Sequence, residues 1–98
     1  MRVISKRTLR EFWEKHTDVE DQLLEWYKVA KNANWQSFDE ITDYFGHTCK
    51  IVGSNRVIFK IKGNKYRLII MVNFEFQTIY ICFIGTHAEY DKIDAKTI

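Results

Sequence analysis

Residues 56–92 read RVIFKIKGNKYRLIIMVNFEFQTIYICFIGTHAEYDK, and their alternation decides the fold. From Arg56 to Lys62, the apolar Val57, Phe59 and Ile61 alternate with Arg56, Ile58, Lys60 and Lys62. A period of two puts the first set on the buried face of a strand and the second on an opposite, largely basic face. Lys62-Gly63-Asn64-Lys65 is a hairpin signal, because Gly and Asn tolerate positive φ. Tyr66 to Phe74 is apolar almost throughout, as a central strand buried on both sides should be. Glu75-Phe76-Gln77 turns the chain into a further strand, Thr78 to Ile84, which Gly85 ends. In Thr86-His87-Ala88-Glu89 a hydroxyl is followed three residues later by Glu. That is a capping box, and it predicts a short helix starting at His87.

Upstream, the apolar period lengthens. Arg2-Val3-Ile4 suits a short edge strand. Ser5 then caps a helix from about Lys6 to Lys15, with Leu9, Phe12 and Trp13 at helical spacing. Thr17-Asp18-Val19-Glu20 has capping-box form and opens a helix to about Lys31, burying Val19, Leu23, Leu24, Trp26, Tyr27 and Ala30. Ser37-Phe38-Asp39-Glu40 is another box and starts a short helix through Tyr44. The predicted class is α+β: helices packed on one face of a twisted, mainly antiparallel sheet, with a short C-terminal helix. The other face is left to carry the basic residues.

Ninety-eight residues predict one domain spanning the chain. No apolar run approaches the ~18 residues of a membrane span, and the N-terminal stretch lacks the apolar centre of a signal peptide. The expectation is a cytoplasmic protein without a membrane role. Cys49 and Cys82 form no CxxC pair, and no His cluster accompanies them, so no metal is expected. Cys82, in an apolar strand, reads as a small buried hydrophobe. The net charge of +2 hides an asymmetry. Residues 1–49 hold seven Lys/Arg against nine Asp/Glu, whereas residues 50–98 hold eight against four. The basic half suits an anionic partner, of which nucleic acid is the commonest, although a solvated strand face fits the charge alone equally well.

The groups of the basic half gather at one end of the predicted sheet. Arg67 falls near Lys60 across the hairpin, and His87 and Tyr90 share one side of the last helix. RNA cleavage by a neighbouring 2′-hydroxyl needs a base, a cation for the pentavalent transition state, and an acid for the leaving 5′-oxygen. Histidine serves either proton role, and Arg67 can fork two donors onto a phosphate. Tyr66 or Tyr90 can stack a splayed base. Plainer readings exist for each. His87 could be a surface residue, Tyr90 half-buried packing, and Arg67 a structural ion pair with Glu75 or Asp91. Lys60 and Lys62 could guard a sheet edge. His16 and His47 have no companions in the sequence and read as non-functional.

Arg56-Val57-Ile58-Phe59-Lys60-Ile61-Lys62-Gly63-Asn64-Lys65-Tyr66-Arg67-Leu68, followed by Thr86-His87-Ala88-Glu89-Tyr90-Asp91, resembles the HigB-type toxins of bacterial type II toxin–antitoxin systems, within the RelE-like superfamily. The resemblance runs from Met1 to Asp91 and implies a RelE-like fold and a messenger-RNA interferase that needs no cofactor. It implies Arg67, His87 and Tyr90 as catalytic residues, with Lys60 and Lys62 as RNA contacts; Lys65, Arg56 and Lys92, further cations of the basic half, are candidate RNA contacts beside them. The implied partners are mRNA, the ribosomal A site and a HigA-type helix-turn-helix antitoxin, with operator DNA reached only through the antitoxin complex. Two other readings fit the scaffold. One is a ParE-type toxin that inhibits DNA gyrase by binding it; the other is a non-catalytic RNA-binding module.

Overall fold

A computed structural model describes residues 1–98. Strand β1 (Arg2–Ile4) leads into helix α1 (Lys6–Lys15). A 3-10 turn over Thr17–Val19 precedes helix α2 (Glu20–Asn32), and helix α3 (Phe38–Phe45) follows. The sheet is completed by β2 (Cys49–Val52), β3 (Arg56–Ile61), β4 (Tyr66–Asn73) and β5 (Thr78–Thr86), before the single-turn helix α4 (His87–Tyr90). The strand order is β1-β5-β4-β3-β2. Only β1 and β5 run parallel; the other pairs are antiparallel. The α+β expectation therefore holds, with β4 at the centre.

The helices cover one face because the alternation of β3 and β4 demands it. Val57, Phe59 and Ile61 from β3 join Tyr66, Leu68, Ile70 and Val72 from β4 in one core with Leu9, Trp13, Leu23, Trp26 and Ile41. Phe59 sits between the rings of Trp26 (5.5 Å) and Phe45 (4.8 Å), both edge to face. Fully burying a side chain of this kind contributes about 1.5–3 kcal/mol. Ser37 caps α3 by accepting from the Glu40 N–H at 3.4 Å. At α4 both arms of the capping box form: Glu89 N–H donates to Thr86 Oγ1 (3.2 Å) and Thr86 N–H to Glu89 Oε1 (2.8 Å).

Several expectations are corrected. The Thr17 box does not close; a 3-10 turn takes its place, and Asp18 is committed elsewhere. Ser5 makes no capping bond with its side chain. The hairpin turn places positive φ at Lys62 (54°) and Gly63 (65°), rather than at Gly63 and Asn64. Gly85 does not end β5 but pairs with Arg67 inside it. A Cβ there would fall 2.5 Å from the Phe83 ring, so glycine keeps the strand continuous beneath that ring. Cys82 is the extra residue of a bulge, since Ile69 opposes Phe83 while Ile70 opposes Ile81; it is half-buried, and both thiols are free.

The open face is not wholly basic. Ile58 and Ile69, on the side away from the helices, are buried (7% and 0% exposed). The C-terminus reaches β3 at Arg56, and Tyr90 shares a cavity lining with Lys60. Ile98 O accepts from Arg56 Nη2 at 2.8 Å and from Nε at 3.2 Å. No helix is long and apolar enough to cross a membrane.

Candidate active site

A cavity of about 440 Å³ lies at the hairpin end of β3 and β4, lined by His47, Thr48, Cys49, Lys50, Ile58, Lys60, Arg67 and Tyr90. Three permanent cations border it, and no carboxylate does. A groove of about 500 Å³ on the helix side differs: Asp21 and Glu25 line it together with Lys60 and Lys62, so its charges balance rather than summing to a cationic wall.

Arg67 is the buried cation of the lining. It stands opposite Lys60 in the β3–β4 register, as the hairpin predicts. It is 6% exposed and has no carboxylate partner, so the ion pairs with Glu75 or Asp91 do not form. Neutral acceptors hold the guanidinium instead. Nη1 donates to Asn64 O (3.0 Å) and Tyr66 O (3.3 Å), and Nη2 to Asn64 Oδ1 (2.7 Å). Its charge therefore remains uncompensated and available to an anion. Tyr90 lies with its ring centroid 5.5 Å from the guanidinium carbon, a cation–π arrangement.

His87 is beside the cavity rather than in its lining. Its ring stands edge-on to Tyr90 at 6.3 Å, and Nδ1 faces Asp91 Oδ2 at 3.1 Å. The His87 N–H donates to Lys65 O (3.0 Å), which ties α4 to the hairpin turn. A carboxylate on one ring nitrogen fixes the tautomer and leaves the other free for proton transfer.

The predicted RNA contacts divide. Lys60 lines the cavity. Lys62 and Lys65 are drawn to Asp18 in the 3-10 turn before α2: Lys65 Nζ donates to its Oδ2 (2.6 Å), Lys62 Nζ to its backbone O (2.8 Å), and Tyr66 Oη to its Oδ1 (2.7 Å). The strand ends at Ile61, so the alternation that would have put Lys62 beside Lys60 stops one residue short. The hydrogen bonds from Lys65 and then Tyr66 hold the Asp18 carboxyl well below the usual carboxylate range, and Asp18 in turn raises Lys65. Arg56 is at the far end of β3, occupied by Ile98 and Ser54. Lys92 is exposed just beyond α4.

Two lining residues were missed in the sequence, Lys50 and the dismissed His47. Both belong to β2 and its lead-in, a strand the sequence reading left out. Its signals were present: Cys49 and Ile51 alternate with exposed Lys50, and Gly53-Ser54-Asn55 makes a turn before β3.

A helix-backed antiparallel meander with a cationic, acid-free cavity at its hairpin defines a small α+β domain whose cavity is suited in charge to an anion. The sequence pattern of the HigB toxin, described as the RelE-like toxic component of a toxin–antitoxin system, matches residues 19–93, and the chain belongs to this family. An mRNA interferase HigB from Escherichia coli O6:H1 strain CFT073 is 28% identical over 94 residues, covering 95% of this chain and 91% of that protein.

Proposed function

We propose that this toxin is itself an mRNA interferase: an endoribonuclease that cuts messages in the ribosomal A site and so stops translation in the cytoplasm. The observation that carries the reading is Arg67, buried without an acid and facing a cavity shared with Lys60 and Tyr90. The name of the Escherichia coli relative supports the same activity. The 2′-hydroxyl attacks the adjacent phosphorus, Arg67 and Lys60 neutralise the charge that develops on its oxygens, and the P–O5′ bond breaks. His87, oriented by Asp91, moves protons at the attacking side together with Tyr90. The side chains supply the charge, and the scheme needs no metal. Lys50 adds to the phosphate field, and Lys92 extends it along the RNA. A HigA-type helix-turn-helix antitoxin is the neutralising partner, and the pair together occupies operator DNA.

Primer extension on mRNA in a reconstituted translation reaction tests the reading. New ends within the reading frame, absent without ribosomes and lost in Arg67→Ala and His87→Ala, are expected. Intact mRNA with unimpaired translation, accompanied by loss of gyrase supercoiling, would transfer the chain to the gyrase-directed class.

A further inference from the structure

Departure of the 5′-oxygen opposite the attacking 2′-oxygen needs proton donors and acceptors on two sides of the phosphate, not one. The α4 side holds Tyr90 with the His87–Asp91 pair behind it. The strand order sets β3 and β4, and hence Lys60 and Arg67, between β5–α4 on one side and β2 on the other. On that other side, at the lead-in to β2, His47 lines the same cavity.

The turn that presents His47 is well braced. Helix α3 stops at Phe45, and Gly46 follows with φ 61° and ψ −139°, a conformation that disfavours any side chain. Thr48 Oγ1 donates to Phe45 O at 2.7 Å, and the Cys49 N–H donates to Gly46 O, closing the turn on both sides of His47. His87 carries a carboxylate partner, which suits a base; His47 carries none, and faces the cationic wall that receives the phosphate.

We propose that His47 is the general acid of the site, protonating the departing 5′-oxygen. This rests on the interferase reading above. The 2′-oxygen bonds to phosphorus and yields its proton to the α4 side. The P–O5′ bond then breaks as the 5′-oxygen takes the proton of the His47 imidazolium. The products are a 2′,3′-cyclic phosphate and a 5′-hydroxyl, and no other reactant is consumed. Solvent returns the proton to His47.

The test is single-turnover cleavage on programmed ribosomes of an mRNA carrying sulfur in place of the bridging 5′-oxygen at the cut site, alongside the oxygen parent. A thiolate leaves without a proton. His47→Ala is expected to slow the oxygen substrate about 10²–10³-fold and the sulfur substrate less than about tenfold. Tyr90→Phe is expected to slow both alike. His47 is exposed, and unchanged thermal melting of His47→Ala and His47→Gln separates chemistry from folding. Equal slowing of both substrates by His47→Ala, or no slowing of either, overturns the assignment. Failure of the wild type to cut the oxygen substrate removes the interferase reading and the assignment with it, and the wild-type lane reports that separately.

Discussion

Replacing Arg67 with Met should separate stability from activity. The residue is buried, and a desolvated cation costs several kcal/mol even after relaxation. Against that stand three hydrogen bonds from the guanidinium to neutral acceptors at 2.7, 3.0 and 3.3 Å. Hydrogen bonds to a charged group contribute about 1.5–3 kcal/mol each at best, so the two sides nearly cancel. Methionine fills much of the same stem volume, and two of the three abandoned acceptors belong to Asn64, which is exposed and can turn to water. The expected stability change is within about 2 kcal/mol, or a melting shift of up to roughly 10 °C for a chain this size. Cleavage should fall at least about 100-fold, the effect of removing one preorganised donor from a developing oxyanion. Urea melts and single-turnover cleavage on ribosomes give the two numbers. A variant that loses more than ~4 kcal/mol, the range for breaking a buried charge pair, would show Arg67 to be a structural group. A variant that still cuts at the wild-type rate would show that its uncompensated charge has no role in the chemistry.

Other outcomes follow from the same geometry. Asp18 has a folded pKa below its unfolded value of about 3.9, so its contribution is complete above that value and fades as pH falls toward the folded one. Asp18→Asn should therefore lower the urea midpoint at neutral pH, and its deficit should shrink steadily as pH falls below about 3.9; a deficit that stays constant with pH would contradict this. Gly85→Ala drives a Cβ into the Phe83 ring and should cost about 1–3 kcal/mol by thermal melting. Phe59→Ala, which removes the ring between Trp26 and Phe45, should cost about 3–5 kcal/mol. Lys50→Ala and Lys60→Ala should each reduce the salt dependence of RNA binding by about one phosphate contact, whereas Arg56→Ala, already engaged by Ile98, should leave it unchanged.

The parts of the site legible in the sequence were those set by local rules. The period of two in β3 and the turn at Gly63 placed Lys60 against Arg67, and the box at Thr86 placed His87 and Tyr90 on one helical turn. The parts that were not legible depend on distant residues. Nothing near Lys62 or Lys65 announces that Asp18, more than forty residues earlier, draws both ammonium groups toward α2. Strand β2 alternates over only four residues beside one partner strand, a signal present but brief against the helical pattern before it, so Lys50 and His47 were not placed at the site. The burial of Ile58 was likewise not legible, because a period of two assigns it to the open face and does not show what covers it.

The most direct test of the account is the chemistry of the ends left on mRNA cut in a purified translation reaction, read by mass spectrometry. Attack by the 2′-hydroxyl predicts a 2′,3′-cyclic phosphate, or the 3′-phosphate it hydrolyses to, on one fragment and a 5′-hydroxyl on the other. Fragments bearing a 5′-phosphate and a free 3′-hydroxyl would mean that water, not the ribose, attacks the phosphate, and would contradict the roles given to Arg67, His87 and Tyr90.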